Sequence, residues 1–366
     1  MAITINGSGT VTGLSVGGLP DGTVDSGTLA TDSVTAVKIP DTVESSLKSG
    51  RKNLFINGGM DVWQRGDTVT SNGYLVDRWM GYSTDSGIAN YGVKATKTQD
   101  NPVGAYGYCA EIALSNTGGG INYVTYGQRI EASTFAGVSS GATMTLSLHI
   151  KRMQAADSNF TLYVRSPLNG VNSYQSTAVI HSTYETAVAS SSPVSFNSLS
   201  TSWQKLTLSF TVTSAMLERG CQVFIENGSS DLNVTNTNAL YRTAEWQLEL
   251  GSVATDFEHR SYGEELALCQ RYYQLNASST GQTYSSTVGT FAINLFTPMR
   301  DIPTAVVVAT SNKIMHIGTA YRNAVNVQAM ELNTLYGGTI NITMSSTASD
   351  ARHILTGGTV GFDAEL

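Results

Sequence analysis

Few residues in this sequence have both the type and the spacing that catalysis requires. GVSSG at 137–141 matches the GxSxG pattern around the nucleophilic serine of many hydrolases. That mechanism needs a strand, a sharp turn and then a helix whose N-terminus supports the oxyanion hole. The residues that follow, ATMTLSLHI, alternate polar and apolar side chains as a strand does. Ser139 is therefore interpreted as part of a turn between strands.

Carboxylates and histidines offer no better catalytic arrangement. The five histidines form neither HExxH nor a paired metal-ligand spacing. His259 lies in DFEHRSYGEE, beside Asp256 and Glu258, and the sequence favours a salt-linked turn before a helix over a metal or acid–base site. Glu264 and Glu265 diverge by about 100° on that helix, so they cannot flank one glycosidic bond. The sequence predicts no enzyme, no metal and no cofactor.

Tyrosines are the residues best suited to hold a ligand. Sugar rings stack their C–H faces on aromatic side chains, and such contacts concentrate on loops. The competing interpretation is that tyrosine packs in β-sheets for structural reasons. The candidate ligand contacts are Tyr82, Tyr91, Tyr106, Tyr108, Tyr123, Tyr126, Tyr321, Arg322 and Tyr336.

Composition indicates an antiparallel β protein. Only 13% of the residues are charged, against about 25% in average proteins, whereas 36 are glycine and 17 are tyrosine. Thr and Tyr suit half-buried pleated surfaces, and glycine marks turns. The net charge of −7 and the lack of a Lys/Arg cluster predict no nucleic-acid partner. Three cysteines without a CxxC motif argue against a disulfide framework and a zinc ribbon.

Targeting signals are not evident in the sequence. MAITINGSGT has no basic region followed by an apolar one, as a signal peptide would. No apolar run approaches the roughly 20 residues of a membrane span. We therefore expect synthesis in the cytoplasm without membrane insertion.

Residues 1–50 differ from the rest because they contain no aromatic residue. Their sparse aliphatic side chains cannot offset the entropy of ordering the segment alone. It is either a flexible linker or a segment ordered in an oligomer, and the second interpretation is favoured. Asp41 and Glu44 form a capping box that predicts a short helix closing the segment at Gly50.

The remaining chain predicts an all-β fold with one short connecting helix. Alternation in TMTLSLHI, FTLYVRS, WQKLTLSFTVT and CQVFIEN predicts a jelly-roll β-sandwich over 51–262, in which NLFINGGMDVW supplies the first strand. Ser261 and Glu264 form a second capping box, which predicts a helix over 263–274. Four further strand patterns predict a small sandwich over 275–366.

The four tryptophans are predicted to lie in the core. They are Trp63, Trp79, Trp203 and Trp246. Asp77 and Arg78 are predicted to form an ion pair beneath Trp79, and Arg65 is a further partner of the tryptophans.

Three stretches resemble proteins of bacteriophage tail fibres and other virion appendages. ITINGSGTVTGLSVGGLPDGTVDSGTLATDSVTAVKI is similar to N-terminal attachment segments, especially in phages of marine and cyanobacterial hosts. NLFINGGMDVWQRG with YLVDRW resembles the opening of a β-sandwich module that is itself similar to carbohydrate-binding jelly rolls. FEHRSYGEELALCQRYYQ resembles the run that ends this module and leads into a terminal domain.

The resemblance implies a homotrimeric tail fibre located in the virion. Residues 1–50 would attach it to phage tail or other virion proteins, and 51–262 would form the body and bind glycans. Residues 275–366 would contact a glycan or protein receptor on the host cell. The alternatives are a purely structural virion component, such as a head fibre or tail-attachment protein, and a polysaccharide depolymerase.

Overall fold

The computed structural model describes most of the chain after residue 50. The described residues are 4–5, 11–12, 51–85, 92–102, 107–114, 121–156, 158–174, 185–228, 239–276, 278–285, 287–308, 314–316, 321–322, 324–335, 337–344, 352–355 and 360–366. Near the N-terminus, β1 (Thr4–Ile5) pairs with β2 (Val11–Thr12). The short helix predicted at 41–50 lies outside these residues.

The strands of the first unit are β3 (Thr68–Ser71), β4 (Gly73–Val76), β5 (Trp79–Asp85), β6 (Val93–Thr98), β7 (Cys109–Leu114), β8 (Ile121–Ile130), β9 (Thr143–Arg152), β10 (Asn159–Pro167), β11 (Glu185–Ser190), β12 (Val194–Ser195), β13 (Gln204–Thr211), β14 (Cys221–Gly228) and β15 (Ala239–Leu250). Two 3-10 helices, Ala132–Phe135 and Phe196–Ser198, and helix α1 (Ser214–Arg219) connect them. GVSSG lies between the first 3-10 helix and β9, in a turn as predicted.

These strands form two antiparallel sheets around one core. The seven-stranded sheet has the order β11-β10-β14-β8-β5-β4, with β12 paired to β10, and the six-stranded sheet has the order β13-β9-β15-β7-β6-β3. In β9, Met144, Leu146, Leu148 and Ile150 all join the core, because alternate side chains of a strand point to one face. The predicted all-β sandwich is confirmed.

Aromatic rings occupy the centre of this core. The ring centroid of Trp79 lies 4.9 Å from that of Trp246 and 5.3 Å from that of Phe55. Tyr126 stacks on Trp79 at 5.6 Å. Replacing a buried tryptophan of this kind with alanine costs about 3–5 kcal/mol. The core prediction holds for three tryptophans and is wrong for Trp203, which is half-buried and immediately precedes β13.

The segment predicted as the first strand is irregular, so that prediction is wrong. NLFINGGMDVW forms bends and turns, and Asn57 and Met60 have φ angles of 58° and 60°. The Asn57 side chain accepts hydrogen bonds from the backbone N–H groups of Asp61 and Val62 and donates to the carbonyls of Val62 and Asp77. These bonds satisfy backbone N–H and C=O groups that would otherwise have to pair with a neighbouring strand.

Helix α2 (Tyr262–Gln270) follows the first unit, and its cap is the predicted one. The Ser261 hydroxyl accepts the backbone N–H of Glu264 at 3.3 Å. The helix ends at Gln270, before the expected 274, because the next residues form a strand. Salt links precede the helix as predicted, and Arg260, the residue after His259, makes them: it lies 3.3 Å from Glu258 and 3.4 Å from Glu265.

The second unit contains two further sheets. Its strands are β16 (Tyr273–Leu275), β17 (Ser279–Ser285), β18 (Val288–Asn294), β19 (Thr304–Val307), β20 (Ile314–His316), β21 (Tyr321–Arg322), β22 (Ala324–Thr334), β23 (Gly337–Met344), β24 (Arg352–Leu355) and β25 (Val360–Asp363). A three-stranded sheet, β16-β25-β19, and a seven-stranded one, β21-β20-β24-β17-β18-β23-β22, share a core that includes Phe291, Ile340 and Phe362.

Buried ion pairs join the two units. Arg78, which is 1% exposed, pairs with Glu365 rather than with Asp77, so the predicted Asp77–Arg78 pair is wrong. Asp77 instead accepts hydrogen bonds from the backbone N–H and the side-chain amide of Gln64, at 2.6 and 2.7 Å. Arg65 lies 3.0 Å from Asp363. The two units therefore pack as one body through charges that neither could bury alone.

In the part of the chain that the structure describes, no helix has the length and apolar character needed to cross a membrane.

Candidate functional site

A row of apolar side chains crosses the seven-stranded sheet on the side away from the core. Met80 pairs with Gly127, Gly127 with Phe224, and Phe224 with Tyr163, on the adjacent strands β5, β8, β14 and β10. Their sequence neighbours Leu162, Val164, Val223 and Ile225 belong to the core. Because strand side chains alternate, the row lies on the opposite face. Met80 and Phe224 form a cluster of their own there, with Tyr74, Tyr82 and Tyr163 packed against it. We call this surface the aromatic face.

The absence of a side chain at Gly127 allows the aromatic face to form. A Cβ at this position would lie 2.2 Å from the Val223 carbonyl oxygen and 2.4 Å from the Cβ of Phe224. Phe224 therefore lies over the glycine, and its ring stacks on Tyr163 with centroids 5.2 Å apart and planes 26° apart. Offset stacking of this kind contributes about 0.5–1.5 kcal/mol beyond area burial. It holds the Tyr163 ring in one orientation.

A second row runs beside the first and is more polar. Tyr82 pairs with Thr125, Thr125 with Glu226, and Glu226 with Thr161. Tyr82 is half-buried, and its backbone carbonyl accepts the Thr125 hydroxyl at 3.3 Å. Two strands, β8 and β14, thus separate the rings of Tyr82 and Tyr163, and they carry the Thr125 hydroxyl and the Glu226 carboxylate.

Charged groups on this face keep unused hydrogen-bonding capacity. Among the residues that the structure describes, Glu226 Oε2 and Arg165 Nε have no hydrogen-bond partner. Burial raises the pKa of Glu226 above its usual value, although Arg165 acts in the opposite direction. The guanidinium carbon of Arg165 lies 5.5 Å from the centre of the Tyr163 ring. The face therefore offers an acceptor and a donor at the edge of an aromatic surface.

The arrangement suits the binding of a flat, hydroxyl-bearing ligand better than it suits catalysis. An aromatic ring stacks on the C–H face of such a ligand. A carboxylate accepts hydrogen bonds from its hydroxyl groups, and a guanidinium group donates hydrogen bonds to them. Within the described ranges, no group of three His, Cys, Asp or Glu side chains is close enough to hold a metal ion.

Only one of the predicted tyrosines has a described side chain on the aromatic face, and it is Tyr82. Tyr108 immediately precedes β7 of the other sheet, with Lys97 Nζ 4.1 Å from its ring centre. Tyr126 is 0% exposed and stacks on Trp79 in the core, so its predicted ligand contact is wrong. Tyr123, Tyr321 and Arg322 lie in strands whose side chains fall outside the described part, and Tyr91, Tyr106 and Tyr336 lie outside it altogether.

Sequence reasoning missed Tyr163, Phe224, Glu226 and Arg165. The signal was available, because FTLYVRS and CQVFIEN were both predicted to be strands. Tyr163 and Arg165 occupy alternate positions of the first strand, as Phe224 and Glu226 do of the second. Assigning the Leu and Val positions to the core would have placed these four residues together on the other face.

Comparisons with known proteins give likenesses to solved structures. No family model and no curated protein matches the sequence. An arabinose-bound GH51 α-L-arabinofuranosidase shares 13% identity at a TM-score of 0.34, over 57% of this chain and 28% of that one. A cyclase from Fischerella sp. TAU shares 12% identity at 0.34, over 54% and 96% of the two chains. The C-terminal family 22 carbohydrate-binding module of Clostridium thermocellum Xyn10B shares 10% identity at a TM-score of 0.30, over 51% of this chain and 94% of that one.

Several of the similar structures are carbohydrate-binding modules of families 4 and 22. Each TM-score is below 0.5. The resemblance to phage appendage proteins, the homotrimer and the domain boundaries stay predictions.

Proposed function

We propose that this protein is a carbohydrate-binding structural protein that holds a cell-surface glycan on the aromatic face. The observation that supports this is that the Tyr163 ring, stacked on Phe224, lies on the same face as Glu226. The Oε2 atom of Glu226 has no hydrogen-bond partner among the described residues. A sugar ring over Tyr163 would bring hydroxyl donors to that oxygen. Leaving a buried acceptor unpaired costs about 1–3 kcal/mol, which a bound hydroxyl would recover.

The wider setting in the proposal is a phage tail fibre. Residues 1–50 would attach the chain to the virion, and a homotrimer would present three copies of the face. Sites that are individually weak then bind a cell surface strongly, because each further contact is made at a high effective concentration. The sequence resemblance supports this part of the proposal.

A glycan array with purified protein tests the binding function. We expect Tyr163→Ala to reduce binding at least tenfold, since aromatic anchors contribute about 2 kcal/mol or more to interfaces. Tyr262→Ala is the matched control, because Tyr262 is 58% exposed but lies on helix α2, away from the face. Equal binding by Y163A and wild type, with a folded circular dichroism spectrum, would contradict the proposed site.

Adsorption by particles carrying the same substitution tests the virion role. Lost adsorption with intact particles supports receptor binding, whereas unchanged adsorption favours a purely structural role. Substitution is preferable to deleting 275–366, because that deletion would leave Arg65 and Arg78 buried without Asp363 and Glu365. Shortening of host polysaccharide by the purified protein would support a depolymerase instead.

Light scattering tests the oligomer. A mass near three times 38.9 kDa supports the trimer, and a mass near 38.9 kDa contradicts it.

A further inference from the structure

The six-stranded sheet also carries an aromatic residue on the face away from the core. Trp203 precedes Gln204, which pairs with Ile150, so Trp203 stands beside Lys151 at the start of β13. The Lys151 Nζ lies 5.0 Å from the centre of the indole ring, and Trp203 is half-buried. Lys151 in turn pairs with Arg242, and Arg242 pairs with Glu111. We call this row, together with the groups that contact it, the tryptophan face.

Asp100 fixes the orientation of the indole. Its Oδ1 accepts the Trp203 Nε1 hydrogen at 3.1 Å, and its Oδ2 contacts Lys151 and Arg242. Burial alone would raise the pKa of Asp100, but hydrogen bonds from Lys151, Trp203 and Arg242 bring it below its usual value. Arg242 Nε also donates to Glu111 at 2.7 Å. Each cation in the row therefore has a carboxylate partner.

A buried carboxylate on the same face lacks a hydrogen-bond donor. Glu245 is 2% exposed, has a φ angle of 53° and lies where the β15 register shifts. Neither of its carboxylate oxygens has a hydrogen-bond partner among the described residues. His149 Nδ1 approaches Oε2 to 3.0 Å but without hydrogen-bond geometry. A buried charged acceptor without a donor is costly, and a ligand hydroxyl at Glu245 would supply that donor.

The carboxylate and the indole are close enough to serve one ligand. His149 and Lys151 are two residues apart on β9 and therefore point to the same face, roughly 6–7 Å from each other. Trp203 lies beside Lys151, and Glu245 lies beside His149. A span of this size matches one or two sugar rings rather than a small ion.

We propose that the tryptophan face is a second carbohydrate site, selective for an uncharged oligosaccharide. A sugar ring would stack on the exposed side of Trp203, its hydroxyls would donate to Glu245, and others would accept from Lys151 and Arg242. Charge compensation within the row disfavours a uronic-acid or phosphate ligand. The proposal rests on carbohydrate being the ligand class, and it adds a site on the opposite sheet of the sandwich. One subunit could then bridge two glycan chains.

Calorimetric titration of the full-length protein tests this site. The probes are the neutral hexasaccharides cellohexaose, xylohexaose and mannohexaose, with hexagalacturonate as the anionic comparison. We expect two equivalents of a neutral probe per chain and weaker binding of the anion. Trp203→Ala should weaken one equivalent about thirtyfold or more. Glu245→Gln, which keeps the side-chain shape, should weaken the same equivalent about tenfold.

The aromatic face supplies the control. Tyr163→Ala should leave the equivalent lost in W203A unchanged. If only one equivalent binds, and Y163A abolishes it whereas W203A and E245Q do not, the second site is overturned and the proposed function stands. One equivalent that responds only to W203A and E245Q would support the tryptophan face and contradict the aromatic one. Binding of none of the neutral probes, or a preference for hexagalacturonate, would overturn the proposal. If W203A does not fold by circular dichroism, E245Q alone decides.

Discussion

Arg78 and Glu365 form an ion pair in which both side chains are almost completely buried, at 1% and 3% exposure. The guanidinium carbon of Arg78 also lies 3.5 Å from the centre of the Tyr272 ring, and its Nη2 donates to the Arg129 carbonyl at 2.7 Å. The pair connects the start of the sandwich with the residues that follow β25. It explains why the second unit cannot be regarded as an independent appendage of the first.

Removing one partner of this pair should destabilise the whole body. Glu365→Gln leaves a buried guanidinium without its counter-charge, and such losses cost about 3–5 kcal/mol. Urea denaturation monitored by tryptophan fluorescence measures the change in the free energy of unfolding.

Arg51→Gln is the matched control for that measurement. In the folded protein, Arg51 forms an ion pair with Glu264 at 3.0 Å, and both side chains are more than 40% exposed. An exposed pair contributes about 1 kcal/mol or less. Equal losses in E365Q and R51Q would show that burial of the Arg78–Glu365 pair does not matter.

Features that depend on local sequence could be predicted. Alternation in TMTLSLHI and CQVFIEN identified β9 and β14, because burial of one face imposes a period of two. The Ser261 cap was predictable because its hydrogen bond spans three residues.

Features that depend on distant contacts could not be predicted. Glu365 is 287 residues from Arg78, and nothing near Arg78 in the sequence distinguishes it from the adjacent Asp77 as a partner. The predicted ligand contact of Tyr126 was wrong for a similar reason. Tyr126 and Tyr163 both lie in strands, but only the pairing register decides that one faces Trp79 and the other faces away from the core.

The carboxyl of Asp77 should make stability depend on pH. Burial raises its pKa to about 6, against the opposing effects of Arg65 and the hydrogen bonds from Gln64. Between about pH 4 and pH 6, the folded state therefore holds a proton that the unfolded state has lost. This contribution to the free energy of unfolding is up to about 3 kcal/mol. It is fully present below the unfolded pKa near 4 and is lost as the pH rises through 6.

Comparison with Asp77→Asn isolates this effect, since the other carboxylates are common to both proteins. The stability of wild type relative to D77N should fall as pH rises from 4 to 7. A constant difference across that range would mean that Asp77 titrates normally in the folded protein. Carboxyl NMR of Asp77 should give an apparent pKa near 6 directly.

Gly127 should be intolerant of any side chain. Gly127→Ala places a Cβ 2.2 Å from the Val223 carbonyl oxygen and must displace β14 or Phe224. Overpacking of this kind typically costs about 1–3 kcal/mol. It should also reduce glycan binding by tilting the Tyr163 ring.

Gly263→Ala is the opposite case and serves as the control for G127A. Gly263 lies in helix α2, and a Cβ there meets no atom within 4 Å. Alanine should stabilise the helix by about 0.5–1 kcal/mol without changing glycan binding. Differential scanning calorimetry checks both variants, and a higher melting temperature for G127A than for wild type would contradict the packing described.

The three cysteines should be unreactive until the protein unfolds. Cys109, Cys221 and Cys269 are all free and buried. Burial raises the pKa of all three thiols, that of Cys109 to about 12, so almost no thiolate forms near neutral pH. An aromatic disulfide reagent such as dithionitrobenzoate should therefore label no cysteine in the folded protein and all three in guanidinium chloride. Because Cys269 lies on helix α2 between the two units, its labelling rate in E365Q reports whether loss of the buried ion pair opens the junction. Rapid labelling of Cys269 in the wild-type protein would contradict the close packing of the two units.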